Sequence, residues 1–544
     1  MENIKIFICI LAAAVSLSGA AKIVYFDVDR VDGDATAVIR DALERVKGLE
    51  MEDTAVINLY PGATYNLSRK SATEIIYHIS NTTSADENPL PVKHIGILLN
   101  GINNLIIDGH GAKLLTHGEM TPWVIDRCKN ITINNLSVDA ADPSVPEMTV
   151  TDVDSVSFIA KVHDTSDYEL RNGQLYWQGV DWEFTDGIAQ IYDPVTETTQ
   201  RCSSPLVKAV EIEESAPGVL KFRFNSMPQV KVGQTYQMRH SLRTEVAGLI
   251  TESEDITLSN LKLRFMGNFG IVAQASKDIN YHNLDCAPDP ESGRTCAGFA
   301  DFLQVSGCKG LVDIRNCQFS GSQDDPINVH GTHLKVIDWG DGSCLTVRYM
   351  HPQTFGFQSF FEGDTIEVVN PNTLLPVTTA VVTEAMMIDD YNIGLRLDRK
   401  LSPDEMTVTN AVVENVSYTP EVRITGCGFK TTPTRGILVT TRRPVLIANN
   451  VFYRTPMAAI LVADDARSWY ESGPVKCLTI CDNVFIDCSL PIIQIAPEIS
   501  EYCGDVHSNI TIARNKFEFE QPPVGNIYSI KATDNIIIEN NSLN

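Results

Sequence analysis

The sequence predicts an all-β fold, a right-handed parallel β-helix with two inserted small antiparallel β-barrel-like domains. From about residue 95 a degenerate unit recurs, in which a short apolar strand is bounded by Asn, Asp or Gly. Consecutive copies are often about 23 to 26 residues apart, within the range of known repeat units. Two blocks, 146–245 and 334–420, interrupt this period. The long amphipathic segments of a helical solenoid are missing, which leaves the β-helix as the architecture that fits.

The first twenty residues have the composition of a secretory signal peptide. Lys5 precedes an apolar run from Ile6 to Leu17, and small residues follow at 18–21. The run is too short to span a membrane, so cleavage near Ala20 or Ala21 is predicted. We therefore expect an exported protein, periplasmic or secreted, without a membrane span.

Residues 21–145 are predicted to form an N-terminal cap and the first coils. Apolar residues between Ala35 and Gly48 recur at helical spacing, and Asp34 precedes them as a side chain that accepts hydrogen bonds from the first free amides. Such a helix would cover the exposed end of the first coil, because unpaired strand edges invite aggregation.

Further coils are predicted in 246–333 and 421–544, with turns built from Asn and Asp. The sequon residues Asn81, Asn130 and Asn509 are interpreted as turn residues first and glycan sites second. The predicted copies of the repeat fall at 104–109, 130–136, 255–261, 278–284, 311–317, 446–452, 478–485, 509–517 and 535–543.

The two interrupting blocks, 146–245 and 334–420, contain alternating short strands without the Asn repeat. This pattern indicates small antiparallel barrels or sandwiches inserted into turns of the β-helix. We expect them to wall the substrate groove or to bind more of the substrate.

Twelve of the 13 cysteines follow the predicted signal peptide, without CxxC pairs or histidine partners at zinc spacing. They are interpreted as small buried residues, with one or two disulfides after export. Cys477, Cys481 and Cys488 are the most favourable place for a bridge. No metal and no cofactor are predicted.

The formal net charge of −26 and the pI of about 4.8 argue against a nucleic-acid partner, because phosphate binding needs clustered Lys and Arg. The same balance disfavours a highly anionic polysaccharide. A neutral sugar fits better, and the sequence shows no basic cluster near Asp324. The oligomeric state is left open.

The segment 322–333 combines two adjacent carboxylates, Asp324 and Asp325, with the histidines His330 and His333. Asp301 lies 23 residues before Asp324, and Ile256 and Ile279 show the same step. If one step is one coil, Asp301 and Asp324 lie on the same face, about 4.8 Å apart along the axis. Crowded carboxyls raise one another's pKa, as a general acid requires.

Glycoside hydrolysis uses such a pair of carboxyls, one protonated and one ionised. The alternative is a solvated turn or a calcium site, where Asp-Asp pairs are also common. His330 and His333 are predicted to bind sugar hydroxyls or to hold a carboxylate in place, and two histidines alone make a poor metal site.

A second polar segment, 464–473, falls between two repeat copies. Trp469 is predicted to stack on a sugar face, while Asp464 and Glu471 accept its hydroxyls. Arg435 is a weaker candidate for substrate binding. The alternative is an ordinary surface loop with a half-buried tryptophan.

The runs 301–310 and 321–333 closely resemble glycoside hydrolase family 110. The resemblance is strong over about residues 295–335 and looser over most of the mature chain. It implies an exo-acting, inverting α-1,3-galactosidase on a parallel β-helix that removes terminal galactose from blood-group-B-type and related glycans. The implied partner is an oligosaccharide or glycoconjugate with a terminal α-galactose.

The acids that the resemblance implies are Asp301, Asp324 and Asp325. In the more distantly similar polygalacturonase-like hydrolases, the first member of the pair protonates the leaving group. By that analogy Asp324 is the general acid, and Asp301 and Asp325 position and deprotonate water.

Two alternative functions remain on the same fold. A polygalacturonase-like or pectate-lyase-like enzyme would need a basic subsite for uronates, or calcium with an Arg or Lys base. A non-catalytic secreted glycan-binding protein would not need three acids in register.

Overall fold

The computed structural model describes residues 21–50 and 52–544. The predicted signal peptide, 1–20, lies outside the described residues. In the part of the chain that the structure describes, no helix is long and apolar enough to cross a membrane. Nearly all regular structure is strand, so the predicted all-β class is confirmed.

The β-helix begins with a strand and a capping helix. Strand Ile23–Val28 pairs in parallel with Thr54–Leu59, and the helix Thr36–Val46 connects them. The apolar side of the helix packs onto the core of the first coils. Asp34 Oδ1 accepts hydrogen bonds from the Thr36 backbone N at 2.9 Å and from its Oγ1 at 2.6 Å, so the predicted side chain holds the start of the helix.

The larger sheet of the solenoid has 20 strands, and each coil adds one or two strands in parallel register to the coil before it. The predicted partners Ile256 and Ile279 are paired. The strands are Ile23–Val28, Thr54–Leu59, Thr64–Ser68, Asn103–His117, Lys129–Ala140, Glu254–Leu263, Lys277–His282, Asp285–Cys286, Lys309–Arg315, Gln318–Ser320, Glu421–Thr425, Gly428–Lys430, Val445–Ala448, Val451–Tyr453, Leu478–Cys481, Val484–Ile486, His507–Ala513, Lys516–Glu518, Thr533–Glu539 and Ser542–Leu543.

A second sheet of 12 strands runs along the other side of the solenoid and carries the candidate acids at one edge. Its strands pair in parallel except at Thr73–Ile76 and Glu471–Ser472. The strands are Thr73–Ile76, Val92–Asn100, Thr121–Asp126, Gly248–Thr251, Ile271–Gln274, Leu303–Ser306, Ile327–Thr332, Ile437–Val439, Ile460–Val462, Glu471–Ser472, Ile493–Ile495 and Tyr528–Ile530.

Stacked identical side chains hold successive coils together. Rings of Phe319, Phe429, Phe452, Phe485 and Phe517 lie 4.6 to 5.2 Å apart in nearly parallel planes. A ladder of asparagines runs beside them, as the repeat predicts, and each accepts hydrogen bonds from the coil before it; the first three are buried and the last is partly buried. Its members are Asn450, Asn483, Asn515 and Asn541.

The turns use Asn and Asp in the left-handed region, where these side chains are tolerated better than most. In the repeated Asn-Asn pair, Asn449 has φ +58° and makes the bend, while Asn450 points inward to the ladder. The sequon residues Asn81, Asn130 and Asn509 have φ between +55° and +63°; Asn81 lies in a turn, as expected, whereas Asn130 and Asn509 are left-handed residues within the strands Lys129–Ala140 and His507–Ala513.

The first inserted domain is a seven-stranded antiparallel sheet packed with a three-stranded one. The short helix Pro205–Lys208 connects two of its strands. The larger sheet contains Glu147–Val153, Ser157–Val162, Ile188–Asp193, Thr198–Cys202, Glu211–Ala216, Val219–Arg223 and Thr235–Arg239, and the smaller one contains Asp167–Arg171, Gln174–Gln178 and Glu183–Phe184.

The second inserted domain is a closed six-stranded antiparallel barrel with its own apolar core. Its strands are Leu334–Asp338, Cys344–Arg348, Thr365–Val369, Pro376–Met387, Asn392–Leu397 and Val412–Asn415. One-turn 3₁₀ helices occur at Asp404–Met406 in this domain and at Arg69–Ser71 in the solenoid.

The twelve cysteines among the described residues are all unpaired, and eight of them are buried. The expected bridge among Cys477, Cys481 and Cys488 is therefore not present in the structure. Cys481 and Cys488 instead pack as buried side chains, the other role that the sequence indicates for these residues.

Candidate active site

Asp324 and Asp325 lie in the turn that leads into strand Ile327–Thr332. The neighbouring coil enters strand Leu303–Ser306 just after Asp301, and Leu303 pairs with Ile327, a step of 24 residues. Phe302 N donates to Asp325 O at 3.3 Å. Asp301 is thus level with Asp325, and the expected register of Asp301 with Asp324 is wrong by one residue, because this coil is one residue longer than the coil from Ile256 to Ile279.

The three carboxyls differ in their exposure to solvent. Asp301 is 6% exposed, and the Asp325 side chain is 5% exposed. The Asp324 side chain is 23% exposed, so it is the member of the three that a substrate reaches most easily. Each is close enough to influence the others.

Burial and mutual repulsion perturb two of these acids. Burial raises the pKa of Asp301 well above its usual range, and the charges of Asp324 and Asp325 raise it further. Burial and the Asp325 charge raise the pKa of Asp324, against the opposing effect of Arg243. Asn328 Nδ2 donates to Asp301 Oδ2 at 3.3 Å.

Arginines surround the pair, contrary to the expectation of no basic cluster near Asp324. Nη2 of Arg201 lies 3.3 Å from Asp324 Oδ2, and Nη2 of Arg243 lies 3.6 Å from the same atom. Arg435 approaches Asp325 Oδ2 with Nη1 at 3.1 Å and Oδ1 with its backbone N at 3.1 Å. The predicted residue Arg435 therefore reaches the site, as a partner of a carboxylate.

Four guanidinium groups, of Arg201, Arg239, Arg243 and Arg435, stand against the four carboxyls of Asp301, Asp324, Asp325 and Glu471. Because the pKa of Asp301 and that of Asp324 are raised, the site is more positive than this count of carboxyls indicates. The lack of a basic cluster near Asp324 therefore no longer supports the expectation of an uncharged substrate.

The first inserted domain contacts the turn 322–326, which carries Asp324 and Asp325, through Gln323, which is fully buried. Gln190 Nε2 donates to the Gln323 carbonyl at 3.1 Å, and Arg239 Nε donates to Gln323 Oε1 at 3.0 Å. Gln323 Nε2 donates to Gln237 Oε1 at 3.3 Å. Gln190 and Gln237 are cross-strand neighbours in one sheet, so a single sheet face holds the turn.

The predicted segment 464–473 pairs with strand Ile327–Thr332, which follows Asp324 and Asp325. Strand Glu471–Ser472 pairs antiparallel with Gly331 and Thr332. This pairing brings Glu471 Oε1 to 3.3 Å from Asn328 Nδ2 and 3.6 Å from His330 Nε2. Asn328 therefore bridges Glu471 and Asp301.

Trp469 is 46% exposed and stacks on His351, with ring centroids 4.5 Å apart and planes 26° from parallel. His351 comes from the second inserted domain. Burial and the Arg243 charge lower the pKa of His351 to about 4, so the ring is neutral at pH 7. The two rings form an uncharged, partly exposed surface beside the acids.

The structure places the side chains of His333 and Asp464 in the protein interior, away from solvent. Both side chains are 1% exposed. His333 Nδ1 donates to the Asp465 carbonyl at 3.0 Å, and Asp464 Oδ1 accepts from Gly473 N at 3.3 Å. Their expected contact with sugar hydroxyls is therefore corrected to a role in holding the segment.

His330 is also buried, with its Nδ1 donating to Gly331 O at 2.7 Å. Its Nε2 lies 3.2 Å from Gln304 Nε2 and faces Glu471. With Nδ1 as the donor, Nε2 accepts from Gln304 Nε2 and has no proton to donate to Glu471, so the role of His330 in holding a carboxylate stays a prediction.

Sequence reasoning missed Arg201, Arg239, Arg243 and His351. They belong to the inserted domains or their junctions, far from the acids along the chain and outside any motif.

The protein combines a parallel β-helix with three carboxyls on adjacent coils and a neutral aromatic surface. This combination indicates a β-helix glycoside hydrolase. Models of the GLAA-B β-barrel domains I and II match residues 146–235 and 344–412, the two inserted domains. An α-1,3-galactosidase A from Bacteroides thetaiotaomicron is 45% identical over 500 residues, which is 92% of this chain and 88% of that protein. The chain belongs to this α-1,3-galactosidase family, glycoside hydrolase family 110.

An α-1,3-galactosidase A from Akkermansia muciniphila is 37% identical over 472 residues, 85% of this chain and 77% of that protein. The solved polygalacturonase from Erwinia carotovora is 9% identical with a TM-score of 0.31, over 96% of this chain and 99% of that one. The fold assignment rests on the strand pairing described above.

Proposed function

We propose that this protein is an exo-acting glycoside hydrolase that removes terminal α-1,3-linked galactose from neutral glycans, including those of blood-group-B type. The observation that carries the proposal is the convergence of Asp301, Asp324 and Asp325 on two adjacent coils, with a raised pKa at Asp301 and at Asp324. Family membership supplies the sugar and the linkage.

Asp324 is the proposed general acid. Its raised pKa keeps a proton available, and its side chain is the most exposed of the three. It donates that proton to the glycosidic oxygen as the bond from this oxygen to the anomeric carbon breaks, so the leaving sugar departs as an alcohol.

Asp325 is the proposed general base. Both of its oxygens accept hydrogen bonds from Arg435 at 3.1 Å, one from Nη1 and one from the backbone N, whereas the arginines near Asp324 lie 3.3 and 3.6 Å away. These closer contacts suit an ionised carboxylate. A water molecule held by Asp301 and Asp325 attacks the anomeric carbon from the opposite face and gives its proton to Asp325. The products are galactose with inverted anomeric configuration and the shortened glycan.

The test is galactose release from a blood-group-B trisaccharide and from p-nitrophenyl α-galactoside. The wild-type protein is expected to cleave both substrates. The double variant, which carries Asp324→Asn and Asp325→Asn together, is expected to cleave neither. The matched control is Asp482→Asn, which removes a surface carboxylate paired with Arg514 on the opposite sheet. No galactose release by the wild type would overturn the proposal.

Inversion is tested separately by proton NMR of the freshly released sugar. The proposal predicts β-galactose as the first product, whereas α-galactose would show retention. The uncatalysed interconversion of the two anomers is followed in a parallel sample of free sugar as the control.

We also propose that the chain is exported after removal of residues 1–20. The support is the composition of that segment. The mass of the protein recovered from the periplasm or medium tests this, with a mature N-terminus near Ala21 expected and an intact Met1 contradicting it.

A further inference from the structure

Arg243 lies beside the proposed acid but makes no hydrogen bond to any residue that the structure describes. Its Nη2 is 3.6 Å from Asp324 Oδ2, an ion-pair contact that is too long for a hydrogen bond. The side chain is 13% exposed, so it is mostly withdrawn from solvent. A guanidinium carries five N–H donors, and donors without acceptors are costly to bury. Arg243 therefore has donors available for a ligand next to the proposed acid.

The other three arginines near the acids differ from Arg243. Arg239 and Arg435 donate hydrogen bonds at 3.0 and 3.1 Å to residues of the turn 322–326. The side chain of Arg201 is 56% exposed, so water can satisfy its donors. Of the four, Arg243 is the one that combines a mostly buried guanidinium with no hydrogen bond to the described residues.

The Arg243 guanidinium is held by its apolar face. Its central carbon lies 5.0 Å from the centroid of the Phe269 ring, which is fully buried. Phe269 precedes strand Ile271–Gln274, whose pairing with Leu303–Ser306 makes Phe269 level with Asp301. Stacking on an aromatic ring occupies the face of a planar guanidinium and leaves its edge, which carries the N–H donors, able to form hydrogen bonds.

The backbone next to Arg243 is fixed as well. The Thr244 carbonyl accepts a hydrogen bond from Nζ of the buried Lys93 at 2.5 Å, and Thr244 Oγ1 donates to Asn268 Oδ1 at 2.9 Å. Glu245 N donates to the same Asn268 oxygen at 3.3 Å. A donor that is already held in place needs little reorganisation when substrate binds.

We propose that Arg243 donates a hydrogen bond to the 2-hydroxyl of the terminal galactose. The inference rests on the proposed function, in which Asp324 protonates the glycosidic oxygen on C1 of that sugar. The 2-hydroxyl is carried by the adjacent carbon, so a donor 3.6 Å from the oxygen of the acid is within reach of it. Hydrogen bonds to this hydroxyl strengthen in the transition state of glycoside hydrolysis, so the contact raises kcat/KM.

The charge of Arg243 gives a second readout. The groups that face Asp324 are two acids and three arginines, namely Asp301, Asp325, Arg201, Arg239 and Arg243. Burial and the Asp325 charge raise the pKa of Asp324, and the Arg243 charge opposes them. A neutral residue at 243 therefore raises this pKa further. Because a general acid works in its protonated form, the alkaline limb of the pH profile then moves to higher pH.

The test combines two variants with substrates that lack single hydroxyls. Arg243→Gln removes the charge, whereas Arg243→Lys keeps the charge and changes the donor geometry. Values of kcat/KM are measured on p-nitrophenyl α-galactoside and on its 2-deoxy and 6-deoxy analogues. The matched control protein is Arg45→Gln, because the Arg45 guanidinium stacks on the Phe26 ring at 4.9 Å in the N-terminal cap.

Arg243→Gln is expected to lower kcat/KM about tenfold to hundredfold on the parent and 6-deoxy galactosides, as the loss of a hydrogen bond from a charged donor does. On the 2-deoxy galactoside the loss is expected to be less than about threefold, because that substrate lacks the acceptor. Arg243→Lys is expected to lie between Arg243→Gln and the wild type. With a blood-group-B trisaccharide, the alkaline limb is expected to move to higher pH in Arg243→Gln and to stay in place in Arg243→Lys. Arg45→Gln is expected to match the wild type throughout.

Equal losses on the parent and 2-deoxy galactosides would overturn the proposal, since they would show that Arg243 does not act through the 2-hydroxyl. A loss confined to the trisaccharide would also overturn it, because p-nitrophenyl α-galactoside has the same terminal galactose. These outcomes are distinct from failure of the proposed function, in which the wild-type protein releases no galactose from either substrate.

Discussion

Asp301 is a carboxyl group placed where its charged form is unfavourable. It is 6% exposed, and its pKa is raised by burial first and by the neighbouring acids next. Burial and the neighbouring Asp325 charge likewise raise the pKa of Asp324. We expect the crowding of Asp301, Asp324 and Asp325 to lower the free energy of unfolding, as strained active sites commonly do.

Asp301→Asn is predicted to stabilise the fold at pH 8 by about 1 to 2 kcal/mol and to have little effect near pH 4. The folded-state pKa of Asp301 is raised above its unfolded value. Its favourable contribution is therefore complete below the unfolded pKa and is lost as the pH rises through the folded pKa, whereas asparagine does not titrate. Denaturant unfolding of both proteins at the two pH values measures this, and a difference independent of pH would contradict it.

At the scale of elements, the site is assembled by pieces inserted into the solenoid. The segment 464–473 owes its shape to the buried Asp465 carboxylate, which accepts hydrogen bonds from the backbone amides of Arg467, Ser468, Trp469 and Tyr470. Trp469 and Glu471 are positioned by this one side chain. The first inserted domain positions the turn 322–326 in a similar way, through its hydrogen bonds to Gln323.

Asp465→Ala is predicted to lower kcat/KM on the galactoside about tenfold to hundredfold, because four amides lose their acceptor and Trp469 and Glu471 shift. Asp465→Asn is predicted to lose less, since one acceptor oxygen remains. Steady-state kinetics of the two variants measures this. Full activity in Asp465→Ala would show that the segment does not depend on this carboxylate.

Gln190→Leu is predicted to reduce kcat about tenfold or more with little change in KM. The reason is that the turn 322–326 loses the buried hydrogen bond from Gln190 to the Gln323 carbonyl. Gln174→Leu, on an exposed hairpin of the same domain, is the control for general effects on the insert. Kinetics and the melting temperature are compared for both variants. A lower melting temperature with unchanged kcat would mean that the contact only stabilises the domain.

At the scale of the whole molecule, stability is built from repeated contacts between neighbouring coils. Asn483 shows the pattern, because it links three coils. It accepts from the Asn450 backbone and side chain at 2.9 and 3.0 Å, and its Nδ2 donates to the Ile447 carbonyl at 2.9 Å and to Asn515 Oδ1 at 3.0 Å.

Asn483→Ala is predicted to cost about 2 to 4 kcal/mol, because buried donors and acceptors on both neighbouring coils lose their partner. Asn280→Ala, which removes one partly buried bond to Thr257 Oγ1, is expected to cost less than about 1 kcal/mol. Denaturant unfolding measures both. Equal losses would show that the ladder carries no special share of the stability.

The solenoid could be predicted because strand residues and turn asparagines recur at a nearly constant period. Such a period predicts successive coils that pair in parallel. Ile256 and Ile279 illustrate this success. The same period misplaced Asp301 by one residue relative to the pair, because turn lengths vary between coils and the pattern of apolar residues does not record them.

The acids and Glu471 could be found from the sequence, whereas their surroundings could not. Arg201 and Arg243 reach Asp324 through the placement of a separate domain, which no local pattern encodes. The residue types of His333 and Asp464 suggested exposed, substrate-binding side chains. Both are buried where strand Glu471–Ser472 pairs with strand Ile327–Thr332.

The assignment of Asp324 as the acid and Asp325 as the base is tested most directly by comparing leaving groups. p-Nitrophenolate departs with little protonation, whereas a sugar alcohol needs a proton. Asp324→Asn is predicted to lose about 10³-fold in kcat/KM on a blood-group-B trisaccharide and far less on p-nitrophenyl α-galactoside, while Asp325→Asn loses similarly on both. The opposite pattern, or an Asp324→Asn protein as active as wild type on the trisaccharide, would contradict the account.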